Sequence, residues 1–206
     1  MGGLRILSDE EMISDALSSL LLAVGVTMDL VEQGRMETLA KLIEKLVRSY
    51  RPGIADPEYL VTIAIKTIKG IGDPQRKAEL ARSLAEIATE KLPPRTLSRL
   101  AAQLIETLQD KDKLPTALKA LEKLPPEEIT TRIVEIMEAM PESYKLELAL
   151  HATEKLPPEE ITTRIVEIME AVPDRGARRV LFYEASAKAP EEMKIIAELL
   201  KRLSLI

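Results

Sequence analysis

The residues that could do chemistry are few. The chain holds one histidine, His151, and no cysteine. Thiol nucleophiles, disulfides, zinc ribbons and iron–sulfur clusters are therefore excluded. Glu147 stands four residues before His151, on the same side of a helix, where the two side chains could share a metal or a proton. Two ligands fall short of a metal's usual set, and no second histidine exists to complete it. The positions 32 residues before and after His151 hold Lys119 and Tyr183, and the one before those holds Ile87. A position that varies this way reads as the edge of a packed face.

Carboxylates pair at Glu127-Glu128, Glu159-Glu160 and Glu191-Glu192. General acid/base work needs two carboxylates converging in a cleft with separated pKa values, and neighbours on a helix diverge instead. Each pair directly follows a proline that can open a helix. Acidic side chains there favour the positive helix end by about 0.3–1 kcal/mol. The chain has no phosphate-binding loop, GxGxxG, GxSxG or HExxH. The reading is a non-catalytic protein with no catalytic, metal or cofactor-binding residue and no cofactor.

Binding is the remaining class of function. Residues 51–100 carry nine Lys and Arg against six Asp and Glu. That local excess is small beside the domain-wide basic surface of nucleic-acid binders. Arg175, Arg178 and Arg179 form a second small group. The most apolar run, Leu20–Val26, is far shorter than the ~18 residues of a membrane span. The N-terminal "SDEEMISD" is acidic where a secretory signal is basic. A cytoplasmic protein with no membrane partner is expected. Abundant Glu, Lys and Arg, with few thermolabile residues, also fit thermostability.

These side chains must be positioned by helices. Aromatic residues make up only 2% of the chain, so its apolar 46% is mostly Leu, Ile, Val, Ala and Met, a composition of helix formers. The stretch "EKLPPEEITTRIVEIMEA" occurs at Glu122–Ala139 and again, unchanged, at Glu154–Ala171. Pro94, Pro126, Pro158 and Pro190 stand 32 residues apart, as do Pro141 and Pro173. Proline is tolerated in the first turn of a helix and not in its interior, so each marks a helix start and each period holds two helices. Ile129, Ile133, Ile136, Met137 and Met140 form one helical stripe. The same positions hold Leu97, Ala101, Leu104, Ile105 and Leu108 one period earlier, and Ile161, Ile165, Ile168, Met169 and Val172 one period later. In the second helix of the pair, Leu146, Leu148, Ala149 and Ala152 are the expected inner residues.

Before Pro94 the period fails but helices continue. Ser8 with Glu11 makes a capping-box pattern, and Asp56-Pro57 and Asp73-Pro74 each place a cap before a helix-opening proline. Eleven helices are expected: 9–33, 35–50, 57–70, 74–90, 94–109, 115–123, 126–139, 142–154, 158–171, 174–187 and 190–204. Residues 1–92 would form divergent N-terminal hairpins and residues 93–206 regular 32-residue repeats. Because such hairpins cannot each bury a core alone, they stack into one continuous all-α solenoid.

"IKGIGDPQRKAEL", Ile68–Leu80, resembles the turn of short HEAT-like repeats, where Gly-Asp-Pro opens a second helix. The period is also similar to that of tetratricopeptide repeats, without their Trp, Leu-Gly and Tyr signature. The resemblance implies an α-solenoid binding scaffold and assigns no functional residue.

Two surfaces then become candidate partner sites. Thr131, Glu135 and Glu138 lie opposite the inner stripe, and Thr163, Glu167 and Glu170 take the same places one period on. Stacked, they would form an acidic ladder able to meet a basic partner or simply to confer solubility. In the last helix the ladder positions become Ile195 and Leu199, and Leu203 and Ile206 extend this second apolar side. A helix apolar on two sides points to a contact, either with a protein of unknown identity or with a second copy in a homodimer. Two other readings stay open. One is a nucleic-acid-associated repeat protein using residues 51–100. The other is a designed or reconstructed scaffold with no evolved partner.

Overall fold

The computed structural model describes residues 57–206, together with Thr38. The expected helices over 9–33 and 35–50, the Ser8/Glu11 box, the Leu20–Val26 run and Asp56 lie outside these residues. Among the described residues the chain is all-helical, with nine helices and no strand. They are α1 (Pro57–Lys69), α2 (Pro74–Lys91), α3 (Pro94–Thr107), α4 (Asp110–Lys123), α5 (Pro126–Glu138), α6 (Glu142–Lys155), α7 (Pro158–Ala171), α8 (Arg175–Lys188) and α9 (Pro190–Arg202). None of them is long and apolar enough to cross a membrane. The chain divides into two compact units, Met1–Leu80 and Ala81–Ile206.

In the first unit, α1 buries Val61, Ala64, Ile65 and Ile68, spaced as one helical stripe. Asp73 caps the next helix, accepting from the backbone N–H of Gln75 at 2.9 Å and of Arg76 at 3.3 Å. Lys77 reaches back from that helix and donates to the Lys69 carbonyl at 3.1 Å. The last turn of α1 thus receives a cation where its carbonyls lack helical partners.

In the second unit the helices form two rows. Along one row α3 packs on α5, α5 on α7 and α7 on α9; along the other α4 packs on α6 and α6 on α8. Hairpin partners α3/α4, α5/α6, α7/α8 and α8/α9 tie the rows together. The core lies between them. Leu97, Leu104, Ile105, Ile129, Ile133, Ile136, Met137, Ile161, Ile165, Ile168 and Met169 are all at most 1% exposed. Ala117, Ala120, Ala149, Ala152 and Ala185 are equally buried in the second row, where a small side chain lets helices approach closely. Leu146, expected among the inner residues, is only half-buried.

The prolines act locally as their chemistry requires. Pro94, Pro126, Pro158 and Pro190 are the first residues of their helices. Leu124 and Leu156, before the double prolines, are forced into extended geometry and end α4 and α6. Their side chains are buried, at 5% and 0% exposure. Pro125 and Pro157 then give their carbonyls to the N–H groups of Ile129 and Ile161, each at 3.1 Å. Pro115 is the exception. It does not start a helix at 115; α4 begins five residues earlier, at Asp110, and Pro115 sits inside it. Asp110 and Asp112 supply the favourable negative charge of the first turn. That turn forms ahead of the proline, which removes only the N–H that would have bonded to Lys111.

Lysines at helix ends join each hairpin to the Glu-Lys-Leu triplet of the one before it. Lys123 at the end of α4 donates to the Glu90 carbonyl near the end of α2, at 2.6 Å. Lys155 at the end of α6 meets the Glu122 carboxylate near the end of α4, at 2.9 Å. Lys188 at the end of α8 donates to the carbonyls of Thr153, at 2.9 Å, and Glu154 in the last turn of α6. Each lysine brings positive charge to the negative end of an earlier helix.

Candidate interaction surface

Helix α9 is the last of its row, and its sequence differs from α5 and α7 on two sides. The register of buried Thr130 and Met137 becomes Lys194 and Lys201. Both are exposed, and they pair within the helix to Glu191 at 2.7 Å and Glu198 at 3.3 Å. The Thr130 register is the one that faces along the row, because its α3 equivalent, Ser98, donates to Glu128 of α5. Where another helix would stack, α9 therefore presents charge.

Its apolar residues lie elsewhere. Ile195 is 80% exposed, Leu199 47% and Leu203 46%. Ile206 is half-buried. Ile195 and Leu199 occupy the register of Thr131 and Glu135 in α5 and of Thr163 and Glu167 in α7, all four of which are exposed. The apolar row thus lies on the outward side of the row of helices, not on its open end. The helix has not rotated to hide it, since Met193 and Leu200 already fill the core at 1% and 0% exposure.

The carboxylates expected in the acidic ladder are exposed and partly neutralised. Glu135 accepts from Arg132 at 2.7 and 2.9 Å, and Glu167 from Arg164 at 2.6 Å. Thr131 and Thr163 spend their hydroxyls on the carbonyls of Glu127 and Glu159. Glu138 and Glu170 are exposed at the ends of their helices.

His151 turns to a different carboxylate from the one its sequence neighbourhood offers. Its Nε2 lies 2.8 Å from Glu122 Oε1 of α4. Glu122 also takes Lys155, at 2.9 Å. These contacts hold the Glu122 carboxyl below its ordinary value, the Lys155 hydrogen bond first among them. Among the described residues no three His, Asp or Glu side chains converge as a ligand set. The arginine group at 175–179 is also partly committed. Arg178 donates to the carbonyls of Val172 at 2.6 Å and Pro173 at 3.4 Å, and Arg175 to that of Ile206 at 3.2 Å.

Beside His151 the outer side of the second row opens into a cleft of about 660 Å³ between α4, α6 and α8. No spacing rule pointed to it, because its walls come from three helices that only the stacking brings together. Comparison with protein-family models, curated proteins and solved structures finds no match to this chain.

Proposed function

We propose that the chain is a non-catalytic α-solenoid of eleven helices with a 32-residue repeat, acting as a scaffold for protein–protein contact. The two-row packing of consecutive hairpins supports the solenoid. The charged groups support the absence of catalysis in one respect: Lys77, Lys123, Lys155, Lys188 and Arg178 are spent on helix ends and interhelix contacts.

The observation that carries the interaction role is the exposed row Ile195, Leu199 and Leu203. Fully burying one such side chain is worth about 1.5–3 kcal/mol, so three together offset a good part of the entropic cost of association. A second copy is the proposed cover, through a two-fold contact. About a two-fold axis at Leu199, Ile195 of one chain meets Leu203 of the other.

Ile195→Glu combined with Leu199→Glu tests this by light scattering. The native protein is expected to be a dimer and the double variant a folded monomer. A native protein that stays monomeric at high concentration would show that the row does not serve association between copies.

A further inference from the structure

The cleft between α4, α6 and α8 has a composition of its own. Leu118 of α4 and Leu150 of α6 are half-buried in it, and Ala187 of α8 lies opposite. The carboxylates of Glu147, Glu154 and Glu184 stand at the same opening and are all exposed. Against these three the lining sets one ammonium, Lys188, whose amine is turned into the carbonyls of Thr153 and Glu154. His151 is drawn aside by Glu122. Glu147 and Glu184, on facing helices, are therefore left without a cation in the cleft.

A volume of 660 Å³ lies inside the ~300–1,000 Å³ range of ligand clefts. Two leucines in one cleft with these carboxylates select for an apolar side chain accompanied by positive charge. We propose that this cleft docks a basic peptide segment of a partner protein, with one apolar side chain seated against Leu118 and Leu150. Lys or Arg near that side chain in the segment would meet Glu147 and Glu184. Nucleic acid is repelled by the same carboxylates. The cleft is separate from the α9 row, so this site stands whether or not two copies associate there.

The test uses a fluorescent twelve-residue peptide of Lys, Arg and Ser with a central Leu, and a control in which that Leu is Ser. Binding to the full chain is followed by anisotropy. The Leu peptide is expected to bind, to weaken with added salt and to bind at least about tenfold more tightly than the control. Glu147→Lys with Glu184→Lys, at two exposed positions, is expected to keep a melting temperature near that of the native chain and to lower affinity about tenfold or more. Leu118→Ser is expected to erase the difference between the two peptides. The proposal is overturned if the Leu peptide fails to bind, if the charge-reversed protein binds it as well, or if both peptides bind the native chain equally. Equal binding would mean diffuse adsorption to an acidic surface.

Discussion

Lys155 Nζ lies 2.9 Å from Glu122 Oε2, 33 residues back along the chain and one helix back in its row. The hydrogen bond from Lys155 is the largest influence on the Glu122 carboxyl, desolvation opposes it, and the Lys155 charge and the His151 contact add to it. The net result is a folded-state value below the ordinary 4.5. A carboxyl depressed in the folded state contributes stability above its unfolded value and loses it as pH falls through the folded one. Glu122→Gln is therefore expected to melt below the native chain at about pH 7, and the gap is expected to narrow as pH falls below the ordinary 4.5. A gap that stays constant across that range would remove Glu122 from the account.

Lys188 gives the opposite slope. Burial lowers its ammonium below the ordinary 10.5, with the Glu154 charge opposing. Between the folded value and 10.5 the unfolded chain holds more protons, so this group's contribution to stability rises with pH through that window. Lys188→Met removes the rise. At neutral pH it also leaves the carbonyls of Thr153 and Glu154 without their donor, at a cost of about 1 kcal/mol. Urea denaturation of both proteins at neutral and alkaline pH measures the two effects, and parallel pH dependence would contradict the first.

Ile133 and Thr131 are two residues apart on α5 and differ completely in burial. Ile133 is 0% exposed. Ile133→Ala is expected to cost about 2–5 kcal/mol through lost contacts and the cavity left behind. Thr131→Ala, at an exposed position, is expected to change stability by no more than about 0.5 kcal/mol. Similar losses at both sites would mean that the α5 register is wrong.

Pro115 lies inside α4, where it denies Lys111 a helical partner. The equivalent positions one and two periods on are Glu147 and Arg179, so the surroundings of a repeated hairpin do not require a proline. Pro115→Ala restores the N–H at some cost in unfolded-chain entropy. A net gain of about 1 kcal/mol is expected, and a lower urea midpoint than the native chain would show that the ring itself is needed.

The sequence shows some of these features plainly and hides others. Pro94, Pro126, Pro158 and Pro190 are legible as helix starts because a missing N–H is harmless only in the first turn. Pro115 misleads by the same rule, since nothing in its own chemistry reveals that Asp110 and Asp112 have already started the helix. Ile195 and Leu199 are legible as apolar residues in a polar register. Whether that register faces the next helix or the outside is not, because it depends on which side of α3 meets α5, as the Ser98–Glu128 bond shows. The partner of His151 is similarly hidden. Glu147 is nearer in sequence, but the hairpin packing carries Glu122 to the ring.

The joint made by the Glu-Lys-Leu triplets bears on how the chain can change length. The triplets at 122–124 and 154–156 each carry both halves of the connection: an acceptor for the hairpin after it and a cation for the hairpin before it. A unit copied in tandem therefore brings its own fastening, and one removed takes its fastening with it. Excising residues 123–154 would place Lys155 directly after Glu122 and regenerate the stretch Glu-Lys-Leu-Pro-Pro without a scar. The shortened protein is expected to fold, with a smaller urea m-value in proportion to the surface removed. The two identical copies at Glu122–Ala139 and Glu154–Ala171 are what a chain built from such interchangeable tiles would leave in its sequence.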